Sequence, residues 1–114
     1  MIKGIQTIIY PVKDLTKAKA LYGTVFGVKP YMDQPYYVAF NVAGQDVGLD
    51  PGGHHAGLNG PVAYWTVDDI SARVNALVEA GAELQQDIKD VGGGRLTARV
   101  KDPAGNVIGL SQPA

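Results

Sequence analysis

The sequence predicts an α+β fold built from two tandem modules, each with a strand, a helix and then two or three strands of mainly antiparallel sheet. Two repeated segments support this. VKDL at Val12–Leu15 returns as VDDI at Val67–Ile70, 55 residues later. VGL at Val47–Leu49 returns as IGL at Ile108–Leu110, 61 residues later. A third observation is that helix and strand signals follow in the same order in both copies, which indicates one structural unit per copy.

The first module begins with a strand over residues 4–11, which are rich in β-branched side chains. Asp14 can cap the next helix and Gly27 can end it. Residues 35–42 and 45–49 then alternate as strands, separated by a tight turn. The apolar helix residues recur at spacings of three and four and are Leu15, Ala18, Leu21, Tyr22, Val25 and Phe26.

The second module repeats this order, starting with a strand over residues 61–67. Asp69 can cap its helix, and Gly81 is predicted to end it. The apolar face of this helix carries Ile70, Val74, Leu77 and Val78. The strands that follow are predicted over residues 85–89, 95–100 and 106–111, with DPAGN at Asp102–Asn106 as the last hairpin turn.

Length and composition favour one soluble domain over residues 1–114. Within it, module one covers about residues 1–52, module two about 60–114, and a linker about 51–60. No apolar run is long enough for a membrane span, and the N-terminus lacks the pattern of a signal peptide. We therefore expect a cytoplasmic protein without a membrane partner.

Charge and cysteine content exclude several kinds of chemistry. The net charge is −1, and the Lys and Arg residues do not cluster, so nucleic acid is not an expected partner. The chain has 0 cysteines, which excludes disulfides and thiolate catalysis.

Three segments resemble the vicinal oxygen chelate superfamily, which includes glyoxalases, extradiol dioxygenases, and fosfomycin- and bleomycin-resistance proteins. The segments are VKDLTKAKALYGTVFG, VDDISARVNALVEAG and KDPAGNVIGL. The resemblance covers essentially the whole chain. It implies two βαβββ modules that pair into a cupped, incomplete mixed β-barrel backed by helices, with a cavity inside. It also implies a homodimer.

The resemblance further implies four metal-ligand positions, one on the first and one on the last strand of each module. In this chain they fall at Thr7, Gly48, Val62 and Gly109. A divalent transition ion needs imidazole, carboxylate or thiolate donors, and none of these four residues has one. The sequence therefore predicts no metal and no cofactor.

Substitute ligands or acid–base groups are conceivable at two places. Asp46 and Asp50 share a strand face with Gly48, because side chains alternate with period two. His54 and His55 lie in the Gly-rich segment PGGHHAGLNG. They are either a metal or proton-transfer pair, or solvated linker residues, and we favour the second interpretation.

The cavity that the resemblance implies has apolar walls and few polar groups, which suits a small organic ligand. Tyr36 and Tyr37 either stack on the ligand or pack within a strand, and we favour packing. Trp65 is predicted to lie in the core. Arg95 and Arg99 share a face that is either solvent or cavity, where pairing with an anionic ligand is possible. The remaining predicted lining residues are Thr7, Ile9, Asp46, Gly48, Asp50, Val62, Tyr64, Thr66, Gly109 and Ser111.

Three functions are compatible with these residues. The favoured one, similar to the bleomycin-resistance branch, is a protein without a metal that binds or sequesters a drug or metabolite. The alternative is a glyoxalase-like lyase or dioxygenase-related enzyme that uses substitute ligands or acid–base residues such as Tyr64, Asp46 and Asp50. A sensor or partner-binding subunit is a third. The residues alone do not decide whether the chain is an enzyme.

Overall fold

A computed structural model describes residues 2–114 and confirms the α+β class, with strand, helix and three strands in each module. The first module contains β1 (Ile2–Pro11), α1 (Leu15–Phe26), β2 (Met32–Gln34), β3 (Tyr37–Val42) and β4 (Gln45–Asp50). The second contains β5 (Val62–Val67), α2 (Ile70–Glu79), β6 (Glu83–Asp90), β7 (Leu96–Lys101) and β8 (Val107–Gln112).

The two helices begin where their caps were predicted. The carboxylate of Asp14 accepts a hydrogen bond from the backbone N–H of Lys17 at 3.0 Å. Gly27 ends α1 in the left-handed region, with φ of 70°, which a residue without Cβ adopts at low cost. Neither helix is long and apolar enough to cross a bilayer, among residues 2–114.

The second helix differs from the prediction at its end. Asp69 caps its start by accepting from the backbone N–H of Ala72 at 3.1 Å. The helix stops at Glu79, and Ala80 rather than Gly81 is its C-cap. Gly81 follows with φ of 112°, so it turns the chain away after the helix has ended.

Contacts divide the described chain into two compact units, one formed by Thr7–Val62. Its strands lie in the order β2, β3, β4, β1; the β1–β4 pair is parallel and the other pairs are antiparallel. The strand predicted from residue 35 begins at Tyr37, and β2 is an additional short strand paired with it. The core between these strands and α1 contains Val12, Val38, Phe40 and Leu49, with Tyr10, Leu15, Ala18, Tyr22, Phe26 and Val42 packed against them.

Two of the predicted apolar residues of α1 do not join this core. Leu21 is 62% exposed and Val25 is 66% exposed. The apolar residues of α1 cover a wider part of the helix surface than the sheet buries, so those at the edge of the apolar stripe face water. Val78 of α2 is exposed for the same reason.

The other unit comprises Ala63–Ala114 and the described residues of β1 up to Gln6. Its strand order is β1, β5, β8, β7, β6, with β5 and β8 parallel and the last two pairs antiparallel. Trp65 packs against the core, as predicted. The buried residues of this core are Val67, Ile70, Val74, Ala98 and Leu110.

Candidate functional site

One face of the sheet in the Thr7–Val62 unit carries most of the predicted site residues of the first module. Val38 and Phe40 pack toward α1, so their neighbours Tyr37 and Ala39 lie on the opposite face. The strand register joins Ala39 to Gly48. Along that face, Gly48 pairs with Ile9, and the adjacent same-face pairs are Thr7 with Asp46 and Pro11 with Asp50.

The ring of Tyr37 fills the space where a side chain at position 48 would project. A Cβ built on Gly48 would lie 1.8 Å from the hydroxyl oxygen of Tyr37 and 2.4 Å from its Cζ. Real Cβ atoms are not found so close to another heavy atom. Gly48 itself is buried. The space beside a position that the resemblance assigns to a metal ligand is therefore occupied by the phenol ring of a residue on another strand.

Polar contacts fix the groups around this ring. The hydroxyl of Tyr31 donates to the Asp46 carboxylate, and Thr7 Oγ1 donates to the Asp46 carbonyl oxygen at 3.2 Å. Asp50 Oδ1 accepts from the backbone N–H of Gly52 at 2.8 Å. The two aspartates that were considered as substitute ligands thus already serve as hydrogen-bond acceptors within the unit.

Burial and the Asp46 carboxylate raise the pKa of two tyrosines here. Desolvation, followed by the hydrogen bond to Asp46 and its negative charge, raises the pKa of Tyr31 from 10.0 to about 12. Burial and then the charge of Asp46 raise the pKa of Tyr37 further, while a hydrogen bond with Thr7 acts in the opposite direction. Both phenols are therefore neutral near pH 7 and can act only as proton donors or neutral acceptors.

Replacing Asp46 by Asn is expected to lower the pKa of Tyr31 part of the way back toward 10.0, because the variant removes the carboxylate's hydrogen bond and charge but leaves the larger effect of burial in place. Folding raises this pKa, so the stabilisation that it contributes is present below pH 10 and is lost as the pH rises through about 12. Titration of the phenolate absorbance should show Tyr31 ionising at lower pH than in the wild-type chain, while Tyr37, whose pKa is raised first by burial, still ionises late. Glu79→Gln, which removes an exposed charge from α2, should leave the titration unchanged.

The remaining predicted residues of this unit lie elsewhere. Tyr36 precedes β3 and is 66% exposed, so the expectation that it packs within a strand is wrong. His54 and His55 are exposed in a turn that the buried Leu58 anchors; its N–H donates to the Gly53 carbonyl at 3.0 Å. Val62 is buried at the start of β5.

A groove of about 480 Å³ lies on the helix side of the same unit and was not predicted. The Lys19–Asp33 ion pair, with Nζ and Oδ2 3.0 Å apart, lies in it. Its lining residues are Leu15, Thr16, Lys19, Asp33, Gln34, Pro35 and Val38, and none of them belongs to the predicted ligand set.

In the Ala63–Ala114 unit a second tyrosine covers a second glycine. Tyr64 pairs directly with Gly109 across the β5–β8 ladder. A Cβ on Gly109 would lie 2.7 Å from both Cγ and Cδ1 of Tyr64, and 3.0 Å from the carbonyl oxygen of Ala63. The atoms that exclude a side chain at position 109 are the base of the Tyr64 ring and a backbone oxygen. These atoms are harder to move than the tip of the Tyr37 ring, which excludes a side chain at position 48.

Two arginines hold the polar groups of this face in place. Arg99 donates through Nε to Gln85 Oε1 at 2.7 Å and through Nη1 to the Tyr64 hydroxyl at 3.2 Å. Arg95 donates through Nη1 to Ser111 Oγ at 2.8 Å, and Ser111 is buried. Arg99 lies on the face of β7 opposite to its neighbour Ala98, which belongs to the core, and Arg95 immediately precedes this strand.

The residues at the four implied metal positions do not fit a metal ion. Thr7 offers a hydroxyl that is already hydrogen-bonded, Val62 has no donor atom, and the two glycines are covered by tyrosine rings. Within residues 2–114, no group of three or more His, Asp or Glu side chains is arranged to hold an ion. These four residues lack the donor atoms that a transition ion needs, and the tyrosine rings leave no space for a ligating side chain at the two glycines.

Sequence reasoning missed two participants, Tyr31 and Gln85. Tyr31 reaches Asp46 because its backbone N–H donates to the Ala39 carbonyl at 2.9 Å, which extends the strand pairing by one residue. Gln85 reaches Arg99 across a β6–β7 ladder whose register shifts between Leu84 and Gln86. A register shift of this kind was not legible in the sequence, so the contact between Gln85 and Arg99 was not predicted.

A sequence model of the Glyoxalase/Bleomycin resistance protein/Dioxygenase superfamily matches residues 4–110. No curated protein matches the sequence.

Solved structures of this fold resemble the chain closely in shape but share little sequence. An NAD-dependent benzaldehyde dehydrogenase from Legionella pneumophila superposes with a TM-score of 0.75 at 15% identity, over 95% of this chain and 98% of that one. Methylmalonyl-CoA epimerase from Mycobacterium tuberculosis gives 0.73 at 17% identity, over 99% and 89%. A glyoxalase/bleomycin resistance protein/dioxygenase superfamily member from Vibrio splendidus 12B01 gives 0.69 at 20% identity, over 98% of both chains. At these identities the likeness establishes the fold.

Proposed function

Because this chain belongs to the Glyoxalase/Bleomycin resistance protein/Dioxygenase superfamily and yet carries no usable donors at the positions implied for a metal, we propose that it binds and sequesters a small organic molecule without a metal ion. The proposal includes a cytoplasmic homodimer. One superfamily scaffold carries many activities, so the argument depends on the residues of this chain.

One observation carries the proposal. Each glycine at a last-strand ligand position lies under a tyrosine ring, Gly48 under Tyr37 and Gly109 under Tyr64. The rings replace the space for a ligating carboxylate with an aromatic surface and a neutral hydroxyl. Such groups recognise organic molecules by stacking and hydrogen bonding.

A thermal-shift panel tests the proposal. Divalent nickel, zinc and manganese, a set of antibiotics that includes bleomycin, and small carbonyl compounds would each be added to the purified chain. We expect an organic compound to raise the melting temperature, since a ligand at 100 times its Kd adds about 2.7 kcal/mol of stability. Elemental analysis is expected to find no stoichiometric metal, and light scattering to give twice the chain mass of 12.0 kDa.

Three results would contradict the proposal. One equivalent of bound transition metal, or stabilisation by nickel or zinc alone, would favour a metal enzyme. A mass of 12.0 kDa in light scattering would show that the chain is a monomer and contradict the proposed homodimer.

A metal-free enzyme is a second candidate, favoured by the Tyr31–Asp46 contact. The Asp46 carboxylate accepts a hydrogen bond from the neutral phenol of Tyr31, and two groups joined in this way can exchange a proton with a substrate. Asp46→Asn separates the two candidates. It should abolish turnover of a carbonyl compound if the pair is catalytic, whereas sequestration predicts no turnover in either form.

A further inference from the structure

We propose that Asn59 is a site of spontaneous deamidation, at which the side-chain amide is converted to aspartate or isoaspartate in the folded protein. This inference goes beyond the proposed binding function and does not depend on it. It is carried by the dipeptide Asn59–Gly60, by the open backbone at these two residues, and by the different surroundings of the other asparagines of the chain.

The reaction joins the side chain of Asn59 to the backbone of Gly60. The Gly60 backbone nitrogen loses its proton to solvent base and attacks Asn59 Cγ. The new C–N bond forms as the Cγ–Nδ2 bond breaks, and ammonia leaves. Water then opens the five-membered succinimide at one of its two carbonyl carbons. Opening at Cγ gives aspartate, and opening at the backbone carbonyl carbon gives isoaspartate, in which the main chain runs through Cγ.

Gly60 leaves this attack unobstructed. A Cβ at this residue would meet nothing within 4 Å, so the space around its backbone is open. Asn59 is exposed, and both residues lie outside the helices and strands. Among residues 2–114, no backbone hydrogen bond holds the Gly60 N–H. Because no side chain crowds the nitrogen and no ladder fixes it, it can rotate toward Cγ of the preceding residue.

Asn41 is exposed like Asn59, so exposure alone does not select the site. Asn41 lies in β3 and is followed by Val42, whose branched side chain hinders attack by its own backbone nitrogen. The backbone is also fixed there, since Val42 pairs with Gln45. The side chain is held as well, because Asn41 Oδ1 accepts from the N–H of Gly44 at 3.0 Å.

The two remaining asparagines are also held by the structure around them. Asn106 precedes Val107, the first residue of β8, and its Nδ2 donates to Asp102 Oδ2 at 2.9 Å. Asn75 lies within α2, where the N–H of the following Ala76 donates to the preceding turn. A branched neighbour and a tethered amide therefore oppose the reaction at Asn106, and the helical backbone opposes it at Asn75.

The modified segment links two buried anchors, Leu58 and Val62, each 2% exposed. Aspartate at position 59 would add a negative charge that water solvates. Isoaspartate would add one atom to the main chain between the anchors, and Pro61 limits how the link can absorb it because the proline ring fixes φ. We expect the isoaspartate form to melt at a lower temperature than the aspartate form. Equal melting temperatures in calorimetry would contradict this effect.

Incubation of the purified full chain, followed by peptide mass spectrometry, tests the inference. The mass gain from exchanging NH₂ for OH should accumulate at Asn59 at least about tenfold faster than at any other asparagine. The rate should be higher in mildly alkaline than in mildly acidic buffer, because the attacking nitrogen must lose its proton. Chromatography beside the variant Asn59→Asp separates the aspartate product from the isoaspartate product.

Variants separate the chemistry from the fold. Gly60→Ala adds a methyl group that has open space, so the fold is kept, yet the methyl group hinders the nitrogen and should slow deamidation about tenfold or more. Gly23→Ala is the matched control. It adds the same group in α1, where a Cβ would come no closer than 3.8 Å to its neighbours, and it should leave the rate at Asn59 unchanged.

Three results would overturn the inference. In the first, Asn59 stays intact in the folded chain under conditions in which the urea-unfolded chain deamidates there. In the second, another asparagine is modified as fast as Asn59. In the third, Gly60→Ala deamidates at the wild-type rate. Each of these results concerns the turn alone, so the proposed binding function is tested separately by the thermal-shift panel.

Discussion

Gly48→Glu is expected to lower the free energy of unfolding by about 3–5 kcal/mol, a large part of the roughly 5–15 kcal/mol typical of a domain. The new Cβ would lie 1.8 Å from the Tyr37 hydroxyl, so the ring must leave its place. The new carboxylate would also be buried on the same face as Asp46 and Asp50, where like charges repel. Chemical denaturation followed by tryptophan fluorescence measures the loss.

Two further variants make this prediction specific. Gly60→Glu introduces the same side chain where a Cβ meets nothing within 4 Å, and it should cost little. Removing the ring in Tyr37→Ala/Gly48→Glu should cost less than the sum of the two single changes, because the clash is gone. Wild-type stability in Gly48→Glu would show that Tyr37 does not occupy this space in solution.

Gly109→Ala is expected to cost about 2–3 kcal/mol and to lower the melting temperature by about 10 °C or more. A single methyl group would meet Cγ and Cδ1 of Tyr64 at 2.7 Å and the Ala63 carbonyl at 3.0 Å. These atoms belong to the backbone or to the rigid base of a ring, and relief requires a shift of β5 against β8. The β5–β8 pair is a parallel ladder inside its sheet, so such a shift disturbs both neighbours.

Gly60→Ala is the matched control, since a methyl group there has open space. A calorimetric scan of both variants separates the packing effect from the general stabilisation that an alanine gives by restricting the unfolded chain. Equal melting temperatures for the two variants would contradict the contact between Tyr64 and Gly109.

The repeated segments and caps made much of the fold predictable. Asp14 and Asp69 cap helices in the structure because capping needs only a short side chain placed three residues before a free N–H. The exposure of Leu21 and Val25 was not predictable, since periodicity shows which residues share a stripe but not how much of the stripe a sheet covers.

The candidate site divides in the same way. That Thr7 and Val62 lack a metal donor is a property of the residues and needs no structure. The positions of the tyrosine rings over Gly48 and Gly109 depend on strand register and on side-chain rotamers. The Tyr37 ring covers Gly48, which lies eleven residues later in the chain and diagonally across the β3–β4 ladder. Nothing in the local sequence specifies that the side chain of Tyr37 points toward Gly48.

The tyrosines that cover the two glycines stand on non-equivalent strands of their modules. Tyr64 stands on the first strand of its module, where the duplicated position in the other module is Ile9. Tyr37 stands on β3. The internal repeat therefore does not extend to these two aromatic residues, and each glycine is covered from a different strand. A designed chain with glutamate at either position would first need a smaller residue in place of a different tyrosine, Tyr37 for Gly48 or Tyr64 for Gly109.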